Sequence, residues 1–273
     1  MAERHLSVSQ IERYSMCGES WRLRYSENIR EPSTPDCVRG TAVHQVAASS
    51  MVGKRAGNPM MLEEVEQLAS DAAKAVFSNQ SVMFTPDDAA RGLETVKGEV
   101  ADAAVALSRL YHIRVAPGIE PVAIEQKISL NIPGLPEIIS VLDLTDSKDR
   151  VRDLKTKSRA PNAEEANKSI QLSQYHLSFE ALNGRPPSDL MLDHVIYHKP
   201  SKKHPDGEAV YVDMHTTRSP EQLQAYLDRV SVVNESMEKG IAVPASPTNW
   251  KCDPKWCGYY GDLCRYTRGM SRG

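Results

Sequence analysis

Apolar and polar positions along the chain change period several times, and each change marks a new element. Residues 7–26 open with Ser7 and Ser9, either of which suits a helix N-cap; Ile11, Tyr14 and Cys17 then fall on one helical face. Pro32 and Pro35 break that run. A second helix opens at Arg39-Gly40-Thr41-Ala42-Val43-His44 and runs through an alanine-rich stretch to about Met51. From Met60 to about His112 the residues are rich in Ala, Val, Leu and Glu at helical spacing, with a break around Pro86. The pattern predicts a helical insertion, residues 52–115, ahead of a sheet.

The character changes at Pro117-Gly118. Val122 to Leu130 reads as a strand. Val141-Leu142-Asp143-Leu144 and Val151-Arg152-Asp153-Leu154-Lys155 read as two more, separated by the turn-forming Asp146-Ser147-Lys148-Asp149. Residues 163–183 form an amphipathic helix that ends at Asn183-Gly184, a C-cap signal. Residues 190–198 and 209–215 predict strands joined by a polar loop from Pro200 to Gly207, and residues 220–239 a last long helix. Pro244 to Pro247 then leads into a cysteine-rich tail, residues 249–266. No internal repeat or low-complexity stretch is visible. This order predicts a single α/β domain over residues 1–266, with a mixed central sheet flanked by helices.

Composition narrows the class only slightly. The 273 residues are 40% apolar and 25% charged, ordinary for a globular chain. A net charge of −3 argues against a generally basic nucleic-acid coat, yet permits a local basic groove beside an acidic metal site. No apolar run approaches the roughly 20 residues that span a bilayer, and the first residues lack an apolar signal core. The expectation is a cytoplasmic protein, of a bacterial cell or a phage-infected host, with no membrane partner. Five cysteines in such a chain are not a disulfide framework.

The chemistry concentrates on the hairpin. A turn of that length brings Asp143 and Asp153 together at a sheet edge, where two carboxylates make a hard-oxygen site for Mg²⁺ or Mn²⁺. Lys155 beside them can orient a nucleophilic water or neutralise developing charge, which is the equipment for cutting a phosphodiester. An Asp-x-Lys triplet alone fits a solvated hairpin equally well. Three features add weight: Glu125 one strand earlier; His44, an imidazole able to complete a carboxylate site; and Gln171 with Tyr175, which share a helical face at i, i+4.

The series Arg39-Gly40-Thr41-Ala42-Val43-His44, Glu125, Asp143, Asp153-Leu154-Lys155-Thr156 and Gln171-Leu172-Ser173-Gln174-Tyr175 resembles the RecB-type branch of the PD-(D/E)xK nuclease superfamily. That branch includes CRISPR-adaptation nucleases and phage exonucleases, and the likeness runs from about residue 7 to 266. It implies a restriction-endonuclease-like core in which His44, Asp143, Asp153 and the Leu154 carbonyl bind the metal, with Glu125 at a less uniform acidic position. Lys155 would position or activate the attacking water, and Gln171 and Tyr175 would support the site and the DNA strand. Ser140 and Val141-Leu142 stand before Asp143 where glycine is frequent in the family.

The tail carries Cys252, Cys257 and Cys264 at C-x4-C-x6-C, which does not fit paired C-x2-C zinc knuckles. Cys17 is the natural fourth ligand, with Cys37 a bystander or competitor. Four thiolates with aromatic shielding suit a [4Fe–4S] cluster, and Zn²⁺ on the same four is the rival. The resemblance favours the cluster, since RecB-type members often join one distant cysteine to a C-terminal trio, though the trio spacing here is wider than C-x2-C-x5-C. Such a staple would pin both ends of the chain.

Lys157 and Arg159, just after the active strand, read as phosphate contacts, with Lys168 in the same basic cluster; the loop residues Lys199, Lys202 and Lys203 read as solvated. Tyr14, Trp21 and Tyr25 at helical spacing read as core, with base stacking the alternative. No G-x-x-x-x-G-K-[ST] loop occurs, so any unwinding would fall to a helicase or recombination partner. The resulting expectation is a Mg²⁺- or Mn²⁺-dependent deoxyribonuclease, an exonuclease on DNA ends or single strands. The alternatives are a structure-specific endonuclease and a non-catalytic DNA-end-binding scaffold.

Overall fold

Local signals set most element boundaries in the computed structural model, which describes residues 5–202, 204, 205 and 207–270. Lys203 lies outside the described residues. In chain order the elements begin with β1 (Leu6–Ser7), α1 (Val8–Met16), α2 (Gly18–Trp21, continuing into a π-helical turn at Arg22–Ser26) and α3 (Pro35–Arg55). The helices α4 (Leu62–Asn79), α5 (Pro86–Arg91) and α6 (Leu93–Leu110) come next. The strands β2 (Pro121–Leu130), β3 (Ile138–Asp146) and β4 (Arg150–Lys157) then lead to α7 (Glu165–Lys168) and α8 (Ile170–Asn183). Strands β5 (Asp189–His198) and β6 (Glu208–Thr216) precede α9 (Pro220–Glu238).

Several boundaries differ from the pattern-based reading, three of them for a clear local reason. The helix expected over residues 7–26 is split at Cys17, whose backbone is extended. Gly18 there donates to the Val243 carbonyl at 2.7 Å, and a Cβ on Gly18 would stand only 2.7 Å from Val243 N. Pro35 does not break the chain but opens α3. Its missing N–H is harmless in the first turn, and Thr34 caps the helix through Cys37 N. The helix expected over 163–183 is divided at Ser169, which caps α8 by accepting from Leu172 N. Gly184 ends α8 in the left-handed region (φ 69°), as its C-cap position requires.

The chain packs as two compact units. One holds Thr34–Ile128 and Val141–Arg218; the other holds the residues up to Ser33, Ser129–Ser140 and those from Ser219 onward. The larger unit is built on a mixed sheet. Strand β4 pairs in parallel with β5 from Arg150↔Asp189 to Lys157↔Ile196, and β5 pairs antiparallel with β6. On its other edge β4 pairs antiparallel with β3, which also pairs with β2. Residues of α3, α4 and α6 (Val43, Met51, Ala73, Leu107) cover one face, against Leu144, Leu154 and Val195. Ala166, Leu172, Tyr175 and Phe179 cover the other, against Leu142, Val151, Leu190 and Leu192. Leu142 and Leu144 thus pack on opposite faces although strand alternation would place them together. The strand turns over at Asp143.

In the smaller unit β1 pairs in parallel with the first residues of β3, Leu6↔Ile138 and Ser7↔Ile139, and α1 packs on α9. The tail after Pro244 has turns but little regular structure. Polar contacts hold it to the amino-terminal segment: Tyr259 is buried and donates to the Ile29 carbonyl at 2.7 Å, while Glu31 accepts from Arg13 and from Gly258 N, both at 2.8 Å. No helix among the described residues is long and apolar enough to cross a membrane.

Candidate active site

Asp143 owes its position to the turnover in β3. The β3–β4 ladder holds at Leu144↔Arg152 and Thr145↔Val151, and the next carboxylate, Asp143, accepts from Leu154 N at 3.2 Å. His44 comes from α3, its Nδ1 3.4 Å from Asp143 Oδ2. Gly40, one turn earlier, lets α3 lie close to β4, since a Cβ there would be 3.0 Å from Thr156 Oγ1. Glu125 arrives from β2 with φ 48°, a left-handed conformation in mid-strand that costs a glutamate on the order of 1–2 kcal/mol. That kink aims the third donor.

His44, Glu125 and Asp143 place one ligand atom each within 4.8 Å of one another. They line a cavity of about 20 Å³, also bounded by Met51, Tyr111 and Leu154, with room for one water-sized species. Two carboxylate oxygens and one imidazole nitrogen are a donor set for Mg²⁺ or Mn²⁺. The electrostatics agree. Burial and the nearby Asp153 charge push the Asp143 carboxyl up to about 8, and the same two causes raise Glu125. Burial lowers His44, favouring the neutral imidazole that ligates. Carboxylates crowded without a cation titrate high, and a bound cation reverses the sign of that effect.

Asp153 and Lys155 share the opposite face of β4 with Val151, toward α8. Asp153 is buried, its Oδ2 2.6 Å from Lys155 Nζ. That contact is close in distance but off the hydrogen-bond direction, so Oδ2 stays without a proper donor, a poor situation for a buried oxygen unless a cation compensates it. Lys155 Nζ donates to Gln171 Oε1 at 2.7 Å, and Gln171 Nε2 to Tyr175 Oη at 2.7 Å. The i, i+4 pair on α8 therefore acts as a bracket for the lysine amine. Asp153 stands outside the close three-residue group and Glu125 stands inside it, a different emphasis from the one the sequence suggested.

Lys157 ion-pairs with Glu165, and Arg159 is exposed, as are Lys168, Lys199 and Lys202. The sequence reading passed over a buried network on the other face of β4. Arg152 makes a two-pronged ion pair with Asp193 (2.8 and 2.7 Å), and Tyr211 donates to Asp193 at 2.6 Å. Arg152 and Asp193 both line the cavity. The available signal was a lone charge inside each of two apolar strand runs. Arg218 was passed over as well: its guanidinium donates to the carbonyls of Ala166 (2.8 Å) and Ser169 (2.9 Å) and to Ser173 Oγ (2.8 Å). It fastens the start of α8, which carries Gln171.

In the smaller unit Cys17, Cys252, Cys257 and Cys264 line one cavity of about 230 Å³ with Leu23 and Tyr259. Cys17 Sγ accepts from Ser20 N (3.4 Å) and Ala245 N (3.3 Å). Burial raises the Cys252 and Cys257 thiols. Cys37 is exposed in the first turn of α3.

The model of the PD-(D/E)XK nuclease superfamily matches residues 5–265. The chain belongs to that superfamily. Among solved structures, a candidate exonuclease from Eubacterium rectale is similar to this nuclease at 11% identity, with TM-score 0.55 over 98% of this chain and 90% of that one. A structure named SSO0001 is similar at 14% identity with TM-score 0.42, over 98% and 88% of the two chains. No curated protein matches. The nuclease fold and the acidic, imidazole-completed pocket on its sheet thus agree, and a PD-(D/E)XK nuclease uses a divalent metal at such a place.

Proposed function

We propose that this nuclease is a Mg²⁺- or Mn²⁺-dependent deoxyribonuclease of the RecB type, an exonuclease that hydrolyses phosphodiesters at DNA ends or in single strands. The carrying observation is the convergence of His44, Glu125 and Asp143 within 4.8 Å beside the Lys155–Gln171–Tyr175 chain. A divalent cation bound there supplies Lewis-acid polarisation of the phosphoryl oxygen and makes water easier to deprotonate. Lys155, its amine fixed by Gln171, orients the attacking water or balances charge on the oxygens of the pentacoordinate phosphorus. Asp153 holds that amine from the other side, and Asp153 and the Leu154 carbonyl would add oxygen ligands to the cation. Exposed Arg159 contacts phosphate, with Lys157 joining when it exchanges Glu165 for the backbone.

The four-cysteine cavity belongs to the same reading as a [4Fe–4S] site. Tetrahedral zinc with bonds of about 2.3 Å would set its sulfurs about 3.8 Å apart. Among the described residues, no three of the cysteine sulfurs lie within 4.8 Å of one another, as the ligand atoms of His44, Glu125 and Asp143 do. Backbone donors on Cys17 Sγ suit an anionic cluster thiolate. A cluster there would supply a covalent staple between chain segments far apart in sequence. Helicase or recombination partners would deliver duplex ends.

The test is cleavage of end-labelled single-stranded and duplex DNA by anaerobically purified protein in Mn²⁺, Mg²⁺ or EDTA. Metal-dependent shortening from one end supports the exonuclease and gives its polarity. Cutting of a covalently closed circle makes it an endonuclease. Binding without cleavage in either metal overturns the reading in favour of an end-binding scaffold.

A further inference from the structure

The smaller unit carries a second feature that the metal site does not use. An open cleft of about 750 Å³ is lined by Gln10, Trp21, Arg24, Tyr25, Asn28 and Arg30, with Met237 and Glu238 among the rest of its wall. Its size falls within the range of about 300–1,000 Å³ typical of small-ligand sites. Trp21 and Tyr25 are one helical turn apart, with ring centroids 6.5 Å apart and planes tilted by 32°. The sequence reading assigned these rings to the core; instead Trp21 is half-buried and Tyr25 is exposed.

Their edges are tied down while the platform stays open to the cleft. Trp21 Nε1 donates to Gln10 Oε1 at 3.4 Å, Tyr25 Oη bonds Ser9 Oγ at 3.3 Å, and Tyr14 packs edge-on against Trp21. Gln10 is itself buried and anchored to the His5 carbonyl. Arg24 lies over the Tyr25 ring, 5.6 Å from its centroid, and Arg30 is exposed. Among the described residues neither arginine is ion-paired with a carboxylate. The acid in the wall, Glu238, accepts from Asn234. Two cations beside two fixed aromatic rings are matched to a ligand that is anionic and aromatic in alternation.

We propose that this cleft binds single-stranded DNA, its bases stacked on Trp21 and Tyr25 and its phosphates on Arg24 and Arg30. The proposal rests on the nuclease reading for its choice of ligand. It names the single strand as the form of DNA held, and a part of the chain other than the metal site as the holder.

The test is fluorescence anisotropy with a labelled oligo-dT in EDTA, where nothing is cut. It is repeated with an oligomer of the same length made of abasic sites. The wild-type protein is expected to bind oligo-dT about tenfold or more tighter than the abasic strand, and Tyr25→Ala to lose most of that preference without weakening abasic binding. Arg30→Ala should weaken both strands alike and reduce the slope of log affinity against log salt by about 0.7. Both side chains are exposed, so the variants should fold, and Trp21→Leu is a third probe. Failure of the wild-type protein to bind oligo-dT, equal affinity for the two strands, or unchanged binding by the variants overturns the proposal. Should the wild type show these binding differences but never cleave in Mn²⁺ or Mg²⁺, the nuclease reading fails and the cleft stands. If it cleaves while the variants bind like the wild type, the cleft alone fails.

Discussion

Asp143 is a half-buried carboxyl whose proton is held by that burial and by the nearby Asp153 charge, and that gives the metal-free protein a distinctive pH response. Its folded value, near 8, lies far above the roughly 3.9 of an unfolded aspartate, so between these limits the folded state binds the extra proton. Stability contributed by this group is therefore complete below about pH 4 and is lost as pH rises toward 8, at up to about 1.4 kcal/mol per pH unit. Urea unfolding in EDTA at pH 5.5 and 8 should show that decline, and Asp143→Asn should flatten it. Saturating Mn²⁺ should reverse it, because the cation selects the ionised form. Cleavage depends on different groups of the same site. Asp153→Ala and Lys155→Ala are each expected to lower the cleavage rate at least about 100-fold while oligonucleotide binding persists. Full cleavage by Asp153→Ala would remove that residue from the site.

At the scale of elements, the site depends on how two segments are held. Helix α8 presents Gln171 and Tyr175 only because its first turn is fixed, and Arg218 fixes it through three separate acceptors on Ala166, Ser169 and Ser173. Arg218→Ala strands those acceptors and should cost about 2–4 kcal/mol in urea unfolding, with reduced cleavage by the folded fraction. Lys155→Ala, by contrast, removes the cation beside buried Asp153 but leaves α8 anchored, so its loss of cleavage should far exceed its loss of stability, which separates the two roles. The elements themselves were legible from period and caps: β2, β4, β5, β6 and α9 stand within two residues or so of the positions their patterns indicate. Two local features were not. The turnover of β3 at Asp143 and the positive φ of Glu125 are departures from strand alternation, and alternation is the signal that assigns strand residues to faces. Both departures lie at the metal pocket, where aiming a side chain outweighs regular pairing.

At the scale of the whole molecule, Cys17 and the tail trio line one cavity, and a cluster held there would close a loop over most of the chain. Cys257→Ala is expected to remove bound iron and the absorbance near ~400 nm of an iron–sulfur centre. It should also cost on the order of 3 kcal/mol or more, since the staple restrains a long unfolded loop. A full complement of zinc and no iron in wild-type protein would replace the cluster by the rival metal.

The residues alone determined the α/β class, the hairpin that carries Asp143, Asp153 and Lys155, and the shared helical face of Gln171 and Tyr175. These depend on spacing within one strand, one helix or one motif, which the chain carries locally. Tertiary structure alone decided that Glu125 rather than Asp153 completes the close group with His44 and Asp143. It also decided that Arg152 meets Asp193, that Arg218 secures α8, and that Trp21 and Tyr25 face a cleft instead of a core. Each of those joins residues from different segments, and the distance between them is set by how helices and strands pack. No period or spacing encodes that distance.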